Sequence, residues 1–182
     1  MRIIAGAFRG RRLRTPKNNR IRPTIDSVRE AVFNMIAGEV PGARVLDLFA
    51  GTGAMGLEAL SRGAHSCFFV DKGAEAVHLI RENIQLCGAQ DRSRIIQGPI
   101  SSAIRRMGSE NELFDLIFMD PPYGKGYIDK TLEIVGAVAR NDAFVIAEYY
   151  IKDKPPLVPV LVWQKDRERR YGDTLISVYS RS

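Results

Sequence analysis

The residue types that hold a nucleotide-like ligand occur together in one stretch, residues 45–56 (Val-Leu-Asp-Leu-Phe-Ala-Gly-Thr-Gly-Ala-Met-Gly). An apolar run ends in Asp47, a glycine-rich turn follows, and residues 57–60 favour a helix. This pattern predicts a buried parallel strand with a ligand site at its carboxyl end. Gly51 and Gly53 can take backbone angles that other residues avoid, and without a Cβ atom they let a ligand lie against the main chain.

Asp47 helps to decide which ligand this turn would bind. A dinucleotide places its pyrophosphate over such a turn and the following helix start, where the carboxylate of Asp47 would repel it. S-adenosylmethionine (SAM) has no phosphate and brings an ammonium and a sulfonium, so Asp47 can be its charge-assisted partner, directly or through the loop amides. The Gly-x-Gly-x-x-Gly spacing is weak evidence by itself. Asp47 makes SAM the favoured ligand, and a dinucleotide stays open as the alternative.

A second apolar run, residues 114–119, ends in Asp120-Pro121-Pro122-Tyr123. Two consecutive prolines fix the backbone, remove two donors and leave carbonyls pointing in set directions. The carboxylate and the Pro121 carbonyl can accept the hydrogens of an exocyclic amine while Tyr123 stacks on the ring that carries it. A Pro-Pro loop that merely ends a strand is the alternative, and the glycine turn earlier in the chain makes it less favoured.

The two motifs together, Asp47-Leu-Phe-Ala-Gly-Thr-Gly and Asp120-Pro-Pro-Tyr, resemble the amino-methyltransferases, SAM enzymes that methylate exocyclic nitrogens. The start of the chain is more specific and resembles the bacterial RsmD-type 16S ribosomal RNA guanine-N2 methyltransferases. The matching segments are Arg2-Ile-Ile-Ala-Gly, Arg9-Gly-Arg-Arg-Leu and Arg22-Pro-Thr-Ile-Asp-Ser-Val-Arg-Glu-Ala-Val-Phe-Asn. The likeness runs from residue 1 to the end of the chain and includes residues 57–64 and 170–173.

The resemblance implies transfer of a methyl group from SAM to the N2 amine of a guanine in 16S rRNA, within the small ribosomal subunit or its assembly intermediate. The residues expected to bind the cofactor are Asp47, Phe49, Gly51, Thr52, Gly53, Asp71, Lys72, Ile100 and Asp120. The residues expected to act in catalysis are Asp120, Pro121, Pro122 and Tyr123. No metal is expected.

Two of the cofactor contacts need comment. Asp71 ends a second buried strand, where an acid can accept both ribose hydroxyls, although it could instead cap the next helix. Many SAM enzymes carry an acid after the third strand to bind the adenine amine, but this chain has Pro99 and Ile100 there. Backbone groups and an apolar contact from Ile100 are the expected substitutes.

The net charge of +6 over 182 residues is unevenly distributed. Residues 1–30 contain nine basic and two acidic residues, whereas the other 152 residues contain 18 basic and 19 acidic ones. A neutral body with a basic arm is typical of a protein that binds a polyanion. The arginines expected to contact RNA are Arg9, Arg11, Arg12, Arg14 and Arg22. A solvated, disordered tail is the alternative, but apolar residues such as Ile3 and Phe8 favour a short hairpin with a packed side.

Strands alternating with helices, followed by a terminal hairpin, predict a three-layer αβα fold, the Rossmann-like architecture of class I SAM-dependent methyltransferases. We expect a mostly parallel seven-stranded sheet with one antiparallel strand, a hairpin arm over residues 1–22 and a methyltransferase domain over residues 23–182. The first predicted helix begins after an N-cap at Thr24. Three further predicted helices cover residues 73–87, 101–107 and 128–139. The predicted late strands cover residues 144–147, 158–163 and 174–179, with a charged turn at 165–170.

Three other functions stay open on these residues. A DNA adenine-N6 or cytosine-N4 methyltransferase would share the Asp-Pro-Pro-Tyr clamp, an NAD-dependent oxidoreductase would share the glycine turn, and a non-catalytic RNA-binding module would share the arm. No apolar run approaches about 18 residues and no signal-like start occurs, so we expect a cytoplasmic, monomeric protein with no membrane association. Cys67 and Cys87 are expected to be core or boundary thiols.

Overall fold

The chain is described here by a computed structural model that covers residues 1–16, 26–124, 126–153 and 162–181. Its strands are β1 (Arg44–Leu48), β2 (Ser66–Asp71), β3 (Ser93–Gln97), β4 (Phe114–Met119), β5 (Ala139–Tyr150), β6 (Trp163–Tyr171) and β7 (Thr174–Arg181). Its α-helices are α1 (Asp26–Met35), α2 (Ala54–Ser61), α3 (Ala74–Cys87), α4 (Ile100–Ser109) and α5 (Tyr127–Val135).

The seven strands form a single sheet in the order β3-β2-β1-β4-β5-β7-β6. Strands β1 to β5 pair in parallel, and β7 pairs antiparallel with β5 and with β6. Parallel strands covered on both faces need continuous apolar runs rather than alternating ones, and β1, β2 and β4 have such runs. The prediction of a mostly parallel seven-stranded sheet with one antiparallel strand is confirmed.

The side chains of the sheet divide the core into two layers. On one face Val45, Phe69 and Phe118 pack with helices α1, α2 and α3, and on the other Leu46, Val70 and Met119 pack with α4 and α5. Both cysteines are buried and free, as predicted, and burial raises the pKa of both thiols. Within the described ranges, no helix has the length and apolar character required to cross a membrane.

The first 16 residues fold back on themselves and pack on the α1–α3 face. Arg2 and Arg12 form an antiparallel bridge, and the Ile3 and Gly10 N–H groups donate to the carbonyls of Arg11 and Ile3. Ile3, Phe8 and Leu13 are buried in the same core layer as α1, α2 and α3. The hairpin prediction therefore agrees with the described part of the arm, whereas the proposed boundary at residue 22 lies outside the described residues, as do Thr24 and Arg22.

Three boundaries differ from the predictions. Helix α5 ends at Val135 instead of 139, because a short 3-10 turn at Gly136–Val138 leads directly into β5, and glycine is a poor helix former. Strand β5 starts at Ala139 rather than 144, and its exposed Arg140 pairs with Asp115 of β4 at 3.1 Å. Helix α4 extends to Ser109.

The predicted charged turn at 165–170 is wrong, because these residues are the middle of strand β6. They pair with β7, with a register shift between Lys165 and Arg167, and the connection is Gly172, at φ 60°, with Asp173. A strand at the edge of a sheet needs no apolar run, since pairing on one side satisfies its backbone, and its charges disfavour pairing with another chain. Of the predicted strand at 158–163, residues 158–161 lie outside the described residues.

Candidate active site

The parallel register brings the ends of β1, β2 and β4 together at one edge of the sheet. Leu48 pairs with Val70 on one side and with Met119 on the other. The next residues of the three strands are Phe49, Asp71 and Asp120, so all three emerge side by side. The chain runs outward from β1 to β3 and then returns to β4 on the other side of β1. In open α/β sheets a crevice at such a reversal is where ligands bind.

The turn after β1 is tightly bent. Phe49, Gly51 and Gly53 all have positive φ angles, 60°, 56° and 75°. The left-handed region is costly for a residue with a Cβ atom, so Phe49 is held there by its surroundings. Its ring lies 5.6 Å from the Tyr127 ring, centroid to centroid. The strained backbone of Phe49 was not predicted, because no feature of the sequence around a phenylalanine indicates a positive φ.

Asp47 is buried beneath this turn, with 3% of its surface exposed. Its Oδ2 accepts a hydrogen bond of 2.9 Å from the Gly56 N–H in the first turn of α2. Burial, with smaller contributions from the charges of Asp120 and Asp71, raises its pKa to about 8, and the Gly56 hydrogen bond opposes this rise. Asp47 thus joins the strand end to the helix start through a helix amide. Its predicted contact with the ammonium of the cofactor stays a prediction.

Asp71 connects the glycine turn with the start of α3. Its Oδ2 accepts from the Gly51 N–H at 2.9 Å, and its Oδ1 accepts from the Gly73 N–H at 2.8 Å. The sequence left two roles for Asp71, which are to accept the ribose hydroxyls and to cap the next helix. Both roles are compatible with the geometry, because a carboxylate has about four lone-pair positions and only two are used by these bonds. Its contact with the ribose hydroxyls stays a prediction.

The remaining predicted cofactor residues flank the same edge. Thr52 is buried in the turn, and Lys72 is exposed next to Asp71. Ile100 is the first residue of α4, after Pro99 at the N-cap, and packs half-buried against the core layer that also receives Phe49. The predicted contact of Ile100 with the adenine ring stays a prediction.

The Asp120-Pro121-Pro122-Tyr123 segment is supported by the end of β5. Asp120 is half-buried, Pro121 is buried, and the Tyr123 ring lies 5.6 Å from the Tyr150 ring at 32°. The Gly124 N–H donates to Asp153 Oδ2 at 2.6 Å. Tyr150 and Asp153 were not predicted, since no motif includes them and only the pairing of β4 with β5 brings them here.

The arm is fastened to α2 by buried polar groups. Glu58, fully buried, accepts from the Ile4 N–H at 2.8 Å and the Ala5 N–H at 3.0 Å, and its Oε2 lies 3.6 Å from the buried Arg29 Nε. Arg29 also donates to the Arg2 carbonyl. Ser61 Oγ accepts from the Phe8 N–H at 2.9 Å. The sequence offered one signal for Glu58, since it is the only charged residue in the otherwise apolar or small α2.

The arginines of the arm differ in their surroundings. Arg9, Arg11, Arg12 and Arg14 are all exposed, but Arg11 also donates to the Leu86 carbonyl and lies 5.7 Å from the centroid of the Phe8 ring. Arg11 therefore contributes to docking the arm as well as to its charge.

Among residues 1–16, 26–124, 126–153 and 162–181, no group of three or more His, Cys, Asp or Glu residues is placed to hold a metal ion.

This fold and this edge define a class of protein. The three layers, the strand order and the glycine turn between β1 and α2 are those of the class I SAM-dependent methyltransferases, whose cofactor is SAM. A solved structure described as "Putative methyltransferase yhhF from Escherichia coli" superimposes on the whole chain with a TM-score of 0.87, 30% identity and 98% of that chain covered. The chain is a methyltransferase of this class.

Comparison of sequences places the chain within the class. A family model described as "Conserved hypothetical protein 95" matches residues 1–180, and the chain belongs to this family, the RsmD type that its motifs resemble. "Putative rRNA methyltransferase YlbH" of Bacillus subtilis is 33% identical over 100% of this chain and 99% of its own length. "Ribosomal RNA small subunit methyltransferase D" of Escherichia coli is 32% identical over 100% of this chain and 90% of its own length.

Proposed function

We propose that this protein transfers a methyl group from SAM to the exocyclic N2 amine of a guanine in 16S rRNA. The observation that carries the proposal is the register of β4 beside β1, which sets Asp120-Pro-Pro-Tyr next to the glycine turn. The clamp for the amine and the turn for the cofactor lie at one edge of the sheet, so the two substrates can meet there. The full-length relative named for the small-subunit ribosomal RNA supports the substrate class.

The residues at the edge suit a cationic cofactor. The acidic side chains of Asp47, Asp71 and Asp120 lie near enough that the latter two help to raise the pKa of Asp47. A ligand that brings an ammonium and a sulfonium favours the ionised form of these acids, whereas a pyrophosphate would disfavour it. When bound, SAM supplies a methyl group on a positively charged sulfur. Asp47, Phe49, Gly51, Thr52, Gly53, Asp71, Lys72 and Ile100 would hold it.

The clamp works mainly by positioning. The guanine N2 lone pair is delocalised into the ring, so the amine is a weak nucleophile until its hydrogens are drawn into hydrogen bonds. The Asp120 carboxylate and the Pro121 carbonyl accept these hydrogens, and Tyr123 stacks on the base. Holding the nitrogen in line for transfer is worth up to about 7–11 kcal/mol of the barrier. The methylated nitrogen must lose a proton, and Asp120 would receive it.

The arm would hold the RNA while a base is presented to this edge. A base inside an RNA helix must leave its stack before a methyltransferase can act on it. The exposed Arg9, Arg12 and Arg14 offer phosphate contacts on the α1–α3 face of the sheet. Phosphate contacts fix position without reading sequence, so the guanine would be selected by the clamp and by the shape of the surrounding RNA.

The test uses small ribosomal subunits and free 16S rRNA from cells that lack this activity, with SAM labelled in its methyl group. We expect incorporation into one guanine, identified by mass spectrometry as N2-methylguanine. Asp120→Ala should lower turnover at least 100-fold, the low end of the range for a group that acts in proton transfer, while the affinity for SAM stays within a few fold. Asp115→Ala, at the other end of β4, removes a carboxylate from the same strand and should keep turnover.

The other functions predict different results. Incorporation into adenine or cytosine of DNA would favour the DNA methyltransferase, and RNA binding without any transfer would favour the non-catalytic module. Near-normal turnover of Asp120→Ala would exclude the clamp mechanism even if the guanine product were found.

A further inference from the structure

Asn83 of α3 connects the arm to the cofactor turn. Its side chain is fully buried and makes three hydrogen bonds with backbone groups. Oδ1 accepts from the Arg14 N–H at 2.7 Å, and Nδ2 donates to the Arg14 carbonyl at 3.0 Å and to the Thr52 carbonyl at 2.9 Å. The orientation of the amide is determined by these partners, because an N–H must meet the oxygen and the two carbonyls must meet the nitrogen.

The two partners of Asn83 belong to different binding surfaces. Arg14 lies in the arm, and Thr52 stands between the two glycines of the cofactor turn. A second contact joins the same two parts, since Thr52 Oγ1 lies 3.5 Å from the sulfur of Met1. A shift of the turn that lengthened the Thr52 bond would leave part of a buried amide unsatisfied, which is costly in a buried site. The conformation of the turn and the position of the arm are therefore linked through one side chain.

We propose that Asn83 is a positioning residue that couples cofactor binding to RNA binding. The inference rests on the proposed function, in which the turn binds SAM and the arm binds RNA. A bound cofactor would stabilise the turn in the conformation in which Asn83 makes all three hydrogen bonds, and Asn83 would then hold the arm at Arg14 in place for RNA. Without the cofactor, the hydrogen bonds that join Asn83 to Arg14 and Thr52 would open more often. Since coupling between two ligands is reciprocal, RNA must raise cofactor affinity by the same factor as the cofactor raises RNA affinity.

A purely structural role for Asn83 is the competing explanation, and Ser61 provides the control. Ser61 also fastens the arm: its Oγ accepts from the Phe8 N–H at 2.9 Å and its carbonyl accepts from the Ala7 N–H at 2.8 Å. However, Ser61 lies at the last turn of α2, and the glycine turn precedes the first. Loss of Ser61 Oγ should loosen the arm without disturbing the link to the cofactor.

The experiment measures binding of labelled S-adenosylhomocysteine, which cannot donate a methyl group, with and without 16S rRNA transcribed in vitro, at constant salt. In the wild type we expect RNA to raise this affinity at least about fivefold, the lower end of ordinary coupling. In Asn83→Ala the factor should fall to about one. In Ser61→Ala the RNA should bind more weakly while the factor persists. An unchanged factor in Asn83→Ala, or a factor of one in the wild type, would overturn the proposal.

A second measurement requires no variant and so does not depend on whether Asn83→Ala folds. The Arg14 N–H donates to Asn83, and its hydrogen exchange reports how often this hydrogen bond opens. We expect S-adenosylhomocysteine to slow exchange at Arg14 in the wild type, and equal rates with and without it would refute the coupling. Failure of the proposed function is distinguishable, because it would appear in the transfer assay as a product other than N2-methylguanine, or as no product, whatever the exchange rate at Arg14.

Discussion

Asp47 is a buried acid close to two other carboxylates, and this arrangement has a measurable consequence in the protein without ligand. A carboxyl group with a folded-state pKa of about 8 holds its proton across the neutral range. In the unfolded chain an aspartate titrates near 3.9. Between these values the folded state binds more protons than the unfolded state, so the contribution of Asp47 to the free energy of unfolding falls as the pH rises.

Asp47→Asn tests this at constant shape. The Asn oxygen can still accept from the Gly56 N–H, but the side chain cannot ionise. Relative to the wild type, the free energy of unfolding of the variant should rise by about 1 kcal/mol per pH unit between pH 5 and 7.5. Urea denaturation at several pH values without ligand measures the difference. A difference that stays constant with pH would mean that Asp47 is ionised in the folded protein.

Residues that form a motif could be predicted from the sequence, and residues that complete a buried network could not. Asp47, Asp71 and Asp120 each follow an apolar run, so their place at the carboxyl edge follows from the fold class. Asn83 and Glu58 sit within helices, where a polar residue is ordinarily taken to face solvent. Their hydrogen-bond partners in the arm and in the cofactor turn are backbone groups, which no sequence pattern indicates.

At the scale of elements, the arm is the part whose position depends most on one close approach. Gly6 has a φ of 82°, and a Cβ atom there would lie 1.9 Å from the Ser61 carbonyl oxygen and 2.3 Å from its carbon. Both atoms belong to the backbone of α2, so neither can move aside without shifting the helix. Gly10 has the same φ of 82° but no atom within 4 Å of its Cβ position.

The pair Gly6→Ala and Gly10→Ala separates backbone strain from docking. Both variants should lose about 1–2 kcal/mol from the positive φ angle. Gly6→Ala should lose about 1–3 kcal/mol more, as expected for overpacking against atoms that cannot yield, and should bind RNA more weakly because the arm no longer seats. Chemical denaturation and RNA titration of both variants measure this. Equal losses in the two variants would show that the contact with Ser61 carries no weight.

The elements that were predicted correctly are those with buried apolar runs, and β6 shows why the others were not. Its Lys165, Arg167 and Arg170 read as a turn because strand prediction relies on apolar residues. The backbone of β6 is satisfied by β7, whose buried Ile176 and Val178 do carry the signal. An edge strand thus forms because it pairs with its neighbour, and its own charged residues disfavour pairing with another chain.

The described part of the arm places a group of arginines on one face of the sheet. The arm and its arginines lie on the α1–α3 face, and α4 and α5 cover the opposite face. Residues 1–16 contain five arginines and no acidic residue. A polyanion should therefore approach from one side, with the carboxyl edge of the sheet and its clamp within reach.

The salt dependence of RNA binding tests this asymmetry. Each phosphate contact on single-stranded RNA adds about −0.7 to the slope of log affinity against log salt. Arg9 and Arg12 are the suitable pair, because Arg11 also fastens the arm to Leu86 and its loss would mix two effects. Changing Arg9 and Arg12 to Gln should weaken binding to all sequences and flatten the slope by about 1.4.

The matched control is Arg105→Gln with Lys130→Gln, two exposed cations on α4 and α5. It lowers the net charge by the same two units but on the opposite face, so its salt slope should stay within about 0.3 of the wild type, less than half of one phosphate contact. RNA titrations from low to high salt, with SAM titrations alongside, compare the three proteins. Parallel curves for the wild type and the arm variant would mean that RNA lies on the body, and equal flattening in both variants would mean that only net charge matters.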